Sequence, residues 1–156
     1  DGLILAAPGI WGGSALPIPY RLAANVAAAF APGKTLTGER ADRQATDNIP
    51  ILREMAADPL MIKETRLDAI VGVTRVMGSA YGGADEIDAT VLFLMGEKDE
   101  IIPLKAMEKT AMRFSGDVTF RRYPEGWHLL FRDLQAEKVW RDVADWIARR
   151  EAPPTH

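Results

Sequence analysis

The chain has no cysteine. That excludes disulfides, thiolate metal sites and a thiol nucleophile, and it suits a reducing compartment such as the cytoplasm. No apolar run approaches the roughly 20 residues that a membrane-spanning helix needs. Leu3 to Ala7 stops at Pro8, and the alanine-rich run from Leu22 to Ala31 is too short. Neither is a signal peptide, because a charged leader and a cleavage pattern are missing. There is no basic stripe either. With a net charge of -3, a pI near 5.4 and 19 scattered Lys and Arg residues, nucleic acid is not an expected partner. Internal repeats and low-complexity tracts are absent. No His/Asp/Glu cluster has metal-ligand spacing, and Gly9-Ile10-Trp11-Gly12-Gly13 lacks the rest of a phosphate-binding fingerprint, so neither a metal nor a cofactor is expected.

What is present is an ordinary globular composition. The 156 residues, 47% hydrophobic and 26% charged, are enough for one domain with a real core. A chain that begins at Asp1 without a methionine and enters an apolar strand at once reads as cut at that point. Leu3 to Ala7 is a continuous apolar run, the form of a strand covered on both faces, and Pro8-Gly9 ends it. Residues 1–10 therefore hold the first core strand.

From residue 11 to 89 prolines punctuate short helical stretches, as in an inserted helical subdomain. Tyr20 to Phe30 is one helix. Ile49-Pro50 opens a second, with Ile51, Leu52 and Met55 on one side and a stop near Asp58-Pro59. Leu67, Ile70, Val71, Thr74 and Met77 follow helical spacing and make a third, closed by Gly78. Residues 90–150 then return to a core. Val91 to Met95 is a fully buried strand, and Val118 to Tyr123 alternates as a more exposed edge strand does. Helices from Leu104 to Phe114 and from Ala136 to Arg149 follow them. The second buries Val139, Trp140, Val143, Trp146 and Ile147. Strand, helix, strand, helix is the pattern of an α/β parallel sheet. The tail at 151–156 is expected to be disordered.

Two short polar segments follow the last two strands: Gly96-Glu97-Lys98-Asp99 and Glu125-Gly126-Trp127-His128. His128 is the single histidine besides the terminal His156, so a general base working near neutral pH has one seat. A lone loop histidine is ordinarily just packed or hydrogen-bonded. Its place behind Gly126, which permits a turn, and its pairing with Asp99 favour catalysis. An acid that orients an imidazole must be short-armed and held at a strand end, and Asp99 fits best. Asp117, Asp133 and Asp142 read as solvent-facing. No nucleophile stands in the chain: Gly-x-Ser-x-Gly is absent, and Ser14, Ser79 and Ser115 lack the sharp strand-to-helix setting that exposes an attacking oxygen. Trp11, Met55, Met61, Met77 and Trp127 either line an apolar pocket or belong to the core.

These segments carry a family resemblance over nearly the whole chain to Arg149. Asp1-Gly2-Leu3-Ile4-Leu5-Ala6-Ala7-Pro8 resembles the sixth strand of the α/β hydrolase fold, in its lysophospholipase and monoacylglycerol lipase branch. Asp58-Pro59-Leu60 resembles a motif of that branch's cap. Gly96-x-x-Asp99-x-x-x-Pro103 is similar to the segment that supplies the triad acid, and Gly126-x-His128 to the one that supplies the histidine. The resemblance implies the C-terminal half of the fold, strands six to eight with an inserted helical cap. It also implies Asp99 and His128 as acid and base of a serine hydrolase acting on a small ester or lipid-like monoester. The nucleophile and oxyanion hole would lie before Asp1, leaving the isolated chain inactive. The unpaired edge of the first strand would be covered by the missing half or by a homodimer partner. Peptidase, dehalogenase or C–C hydrolase chemistry on the same layout remains open, as does a non-catalytic binding module.

Overall fold

The apolar run at 91–95 forms the middle of a parallel sheet. The computed structural model describes residues 2–11, 16–37 and 43–151. Numbered in chain order, the sheet contains β1 (Gly2–Ala6), β4 (Thr90–Gly96) and β5 (Val118–Tyr123), in the spatial order β1-β4-β5. Gly2 lies opposite Thr90 and Ala6 opposite Leu94, while Val91 lies opposite Val118 and Gly96 opposite Tyr123. Parallel neighbours need long crossovers. Here α4 (Leu104–Ala111) joins β4 to β5, the whole 7–89 segment joins β1 to β4, and α5 (Ala136–Glu151) follows β5.

Successive strand residues point to opposite faces, so β4 feeds two cores. Leu92 and Leu94 meet Tyr123, Leu130, Val139 and Trp146 under α5. Val91, Phe93 and Met95 meet Ile102, Met107 and Ala111 under α4. Every residue from Val91 to Met95 is at most 1% exposed. Each such burial stabilises by about 1.5–3 kcal/mol, which makes β4 the main source of the sheet's stability. Phe93 also stacks on Phe120 at 5.5 Å and meets Phe114 edge-on at 6.4 Å. β5 lies at the outer edge as expected, but exposes the adjacent Arg121 and Arg122, one on each face, in place of a strict alternation.

The strand expected to be covered on both faces is only half-buried from Leu3 to Ala6. The reason is positional: in the described sheet β1 has β4 on one side and an open edge on the other. A second difference lies on α5. Val139, Val143 and Trp146 face the sheet, but Trp140 is 54% and Ile147 39% exposed, because one helix can bury only a limited stripe against a sheet.

The insert contains α1 (Ile18–Phe30), β2 (Thr35–Thr37), α2 (Ile49–Ala57), β3 (Glu64–Arg66), α3 (Leu67–Gly82) and a 3₁₀ turn at Gly83–Glu86. Pro19 and Pro50 sit in the first turns of α1 and α2, where a missing N–H costs nothing. β2 and β3 form a small antiparallel pair with Thr35 opposite Arg66, absent from the purely helical reading. Three-residue strands are too short for alternation to reveal them. α3 continues through Gly78, where the sequence predicts its end. A helical glycine costs only about 1 kcal/mol, and Arg113 fastens the extra turn by reaching Gly82 O, pairing with Asp85 and stacking over the Tyr81 ring. Ser14 and the 152–156 tail lie outside the described residues.

If β4 anchors both cores, Phe93→Ala should cost about 3–5 kcal/mol in urea denaturation. Leu60→Ala, at a side chain 88% exposed in the insert, should stay within about 0.5 kcal/mol.

Candidate active site

Asp99 and His128 leave the C-terminal ends of adjacent parallel strands, and the two loops are locked to each other by their backbones. The Glu97 amide donates to Tyr123 O at 3.0 Å, the Lys98 amide to Gly126 O at 2.9 Å, and the Gly126 amide to Tyr123 O at 2.9 Å. Lys98 and Glu125 add an ion pair at the surface. Such close approach requires glycine on both sides. A Cβ on Gly96 would lie 2.4 Å from the carbonyl carbon of Gly126 and 2.5 Å from Trp127 O, and one on Gly126 would lie 2.7 Å from Tyr123 Cβ. Neither glycine uses the left-handed region. Gly126 is therefore demanded by contact with its neighbour, not by the turn that its sequence context suggests.

The sequence pairs Asp99 with His128, and in the structure the two side chains meet. His128 Nδ1 is 2.9 Å from Asp99 Oδ2. The Asp99 side chain is 1% exposed and that of His128 24%. Asp99 Oδ1 meanwhile accepts the Ile101 and Ile102 amides at 2.8 and 2.9 Å. Ile102 is buried beneath α4, so the acid loop is fastened to the core at the next turn. A carboxylate accepts and cannot donate. Nδ1 must therefore carry the imidazole proton, which leaves Nε2 as a free acceptor on a ring that reaches solvent.

Sequence reasoning missed a second carboxylate. Asp133 is not solvent-facing: it is 3% exposed, with Oδ1 accepting the fully buried Thr46 hydroxyl at 2.5 Å and Oδ2 accepting the Trp127 amide at 2.7 Å. Burial pushes its pKa above the usual value. Hydrogen bonds from Thr46 and Trp127 pull the other way, and the charges of Asp47 and Asp99 add to the rise. No sequence signal links Thr46 to Asp133 across 87 positions. Asp142 is also engaged, accepting the Tyr123 hydroxyl at 2.8 Å. Burial first, and then this bond, raise the pKa of Tyr123 above the ordinary phenol value. Asp117 stays exposed, as its loop position suggests. Ser79 lies inside α3 and Ser115 donates to Ile87 O, so neither approaches His128 as a hydrogen-bond partner.

One concavity adjoins the site and a second lies in the insert. One of about 440 Å³ is lined by Trp11, Arg43, Asp99, Glu100, Ile101 and Pro103. The other, about 800 Å³, lies in the insert among Met55, Ala56, Met61, Ile62 and Lys63, and shares Arg43 with the first. Trp11 and Met77 pack against the α4-side core, whereas Met55 and Met61 line the insert's concavity or its surroundings. Among the described residues no group of His, Asp and Glu could hold a metal ion, and no helix is long and apolar enough to cross a membrane.

A family model described as serine aminopeptidase, S33, matches residues 1–135, and the chain belongs to that family. Its fold is similar to that of a monoacylglycerol lipase from Paleococcus ferrophilus, with a TM-score of 0.76 at 22% identity over 93% of this chain and 57% of the lipase. It is similar also to a soluble variant of the monoglyceride lipase of Saccharomyces cerevisiae, with a TM-score of 0.73 at 19% identity over 95% of this chain and 55% of that one. The parallel sheet and its flanking helices thus match the C-terminal part of an α/β hydrolase fold. The chain spans a little over half the length of either lipase.

Two outcomes follow from this geometry. Gly96→Ala should destabilise by about 2–4 kcal/mol in urea melts, because backbone cannot move aside as a side chain can. Gly33→Ala, with nothing near its Cβ position, should be near neutral. For Asp133, a folded-state pKa above 3.8 means that the folded chain holds the proton more tightly than the unfolded one. Its contribution is most favourable below that value and is lost as pH rises through the folded pKa. Relative to Asp133→Asn, wild type should therefore lose stability as pH rises above 3.8. A difference that grows with pH in wild type's favour would contradict the assignment.

Proposed function

We propose that this chain is the acid- and base-bearing part of a serine hydrolase that cleaves carboxylic esters, lipid-like monoesters in particular, with its nucleophile supplied from outside these 156 residues. The bond between His128 Nδ1 and Asp99 Oδ2 carries the reading, because it occupies Nδ1 and leaves Nε2 of a partly exposed ring available as an acceptor at the end of the sheet. Residues 1–10 and 90–150 form the catalytic core in this reading, and residues 11–89 form the cap.

In the reaction, His128 Nε2 takes the proton of the serine hydroxyl as the oxygen attacks the ester carbonyl. Asp99 holds the ring and stabilises the imidazolium without taking the proton. The imidazolium then protonates the leaving alcohol, and the same ring activates a water that clears the acyl-enzyme. The two amides on Asp99 Oδ1 keep the carboxylate aimed through the cycle. An ester with an apolar tail suits the methionine-lined concavity of the cap, and the lipases with similar folds support that choice by their names. The open edge of β1 is, in this proposal, covered by the rest of the protein or by a second copy.

A peptide substrate is the second reading, favoured by the family's own description. Acid and base would act identically, so only turnover separates the two.

The test compares the chain alone with the same segment in continuity with a serine elbow. The chain alone should hydrolyse p-nitrophenyl esters no faster than buffer. The longer protein should react with a fluorophosphonate and hydrolyse monoacylglycerols, losing about 10⁴-fold or more in kcat on His128→Ala or Asp99→Ala. Faster turnover of aminoacyl p-nitroanilides would select the peptidase. Hydrolysis that survives His128→Ala would sink both.

A further inference from the structure

We infer that Asp133 and Thr46 are positioning residues: they join the strand of chain returning from the cap to the loop that carries His128, and so set where the imidazole stands. The inference rests on the hydrolase reading for its catalytic meaning, though its geometry stands alone.

Residues 44–48 form a strap laid across both functional loops. On the acid side, the Gln44 amide donates to Glu100 Oε2 at 2.8 Å, one residue from Asp99. On the histidine side, Ala45 O accepts the Leu129 amide at 2.9 Å, and Asn48 Nδ2 donates to Arg132 O at 2.9 Å. Asp47 Oδ1 accepts the Leu134 amide at 2.9 Å. Thr46 is the hub. Its oxygen accepts the Asn48 amide at 3.2 Å while its hydroxyl donates to Asp133 Oδ1, and Asp133 Oδ2 takes the Trp127 amide. The Gly126–Trp127 peptide, one removed from His128, is thus held by Asp133, and the His128–Leu129 peptide directly after it by the strap.

The chemistry of position 133 argues for placement over mere packing. A buried carboxylate is costly in an apolar setting, so its presence here has to be explained by the groups that it binds. A carboxylate alone offers two acceptor-only oxygens, which the two donors here, a hydroxyl and an amide, both require. Releasing either donor leaves a buried polar group unsatisfied and frees the peptide next to His128 to shift. The ring could then tilt away from Asp99 while the core beneath stays intact.

The measurement is the imidazole ¹H–¹⁵N spectrum of the 156-residue chain, to which only His128 and His156 contribute and in which His156→Gln assigns them. Wild type should show a proton on His128 Nδ1 protected from solvent exchange. Asp133→Ala should remain folded by circular dichroism yet exchange that proton about tenfold faster, the factor that loss of one hydrogen bond brings. Thr46→Val, which deletes the hydroxyl at nearly constant volume, should act in the same direction, and Thr46→Ser should restore protection. If Asp133→Ala fails to fold, the Thr46→Val and Thr46→Ser pair decides. Folded variants whose melting point falls while the His128 proton exchanges at the wild-type rate would assign a purely structural role and overturn the inference. Turnover plays no part in this readout. A longer protein without hydrolase activity would end the functional reading and leave the exchange result standing.

Discussion

The contact on which the site depends is the one between Gly96 and Gly126, where two backbones meet with no room for a Cβ on either side. Parallel pairing sets Gly96 opposite Tyr123 at the last rung of the β4–β5 ladder. Beyond that rung the strands would normally diverge. Instead the Glu97 and Lys98 amides continue the pairing onto Tyr123 O and Gly126 O, so the loops leave the sheet as one unit. Asp99 and His128 are the first side chains past this clamp that can reach each other. Their hydrogen bond is a consequence of the backbone geometry, and side-chain attraction needs only to finish the alignment.

That order of causes explains how much could be read in advance. The strands were legible because β4 is apolar on both faces and β5 alternates in part, patterns that burial imposes directly. Asp99 and His128 were legible because each sits just past a glycine at the end of such a strand. Gly126 was recognised, but for the wrong reason: a sequence shows that a residue lacks a side chain and not what occupies the space where one would be. Asp133 was invisible for a related cause. Aspartate ahead of a helix usually faces water, and its burial here comes from Thr46, a partner far away in the chain that no local pattern predicts. The β2–β3 pair and the last turn of α3 escaped because three-residue strands carry too little periodicity, and because a tertiary contact from Arg113 outweighs the helix-ending tendency of Gly78.

The insert and the core are less separable than a division at 11 and 89 suggests. Met77 of α3 packs onto the α4-side core, and the 44–48 strap hydrogen-bonds to the loops beyond both β4 and β5. A cap that merely covered a cleft would touch its rim. The 44–48 strap instead hydrogen-bonds to the loops that carry Asp99 and His128, so a displacement of the strap must either break those bonds or carry the loops along. In the proposed reading, substrate binding under the cap and the placement of the imidazole are then mechanically linked, and the Thr46–Asp133 bond at the centre of the link is buried from water, where a hydrogen bond is strongest.

The electrostatics of the two buried carboxylates point the same way. Asp99 binds His128 and Asp133 binds the Trp127 amide beside it, and the charge of Asp99 is among the influences that raise the pKa of Asp133. Two carboxylates near one poorly solvated loop repel each other, and that repulsion disfavours the resting arrangement. In the proposed reaction a positive charge develops on the His128 ring. Its attraction to Asp99 is direct, and its field offsets part of the repulsion that Asp133 feels. Interactions stronger in the transition state than in the resting state are those that accelerate a reaction. A second carboxylate near the loop, unfavourable on burial alone, is therefore better suited to the moment of proton transfer than an apolar residue would be.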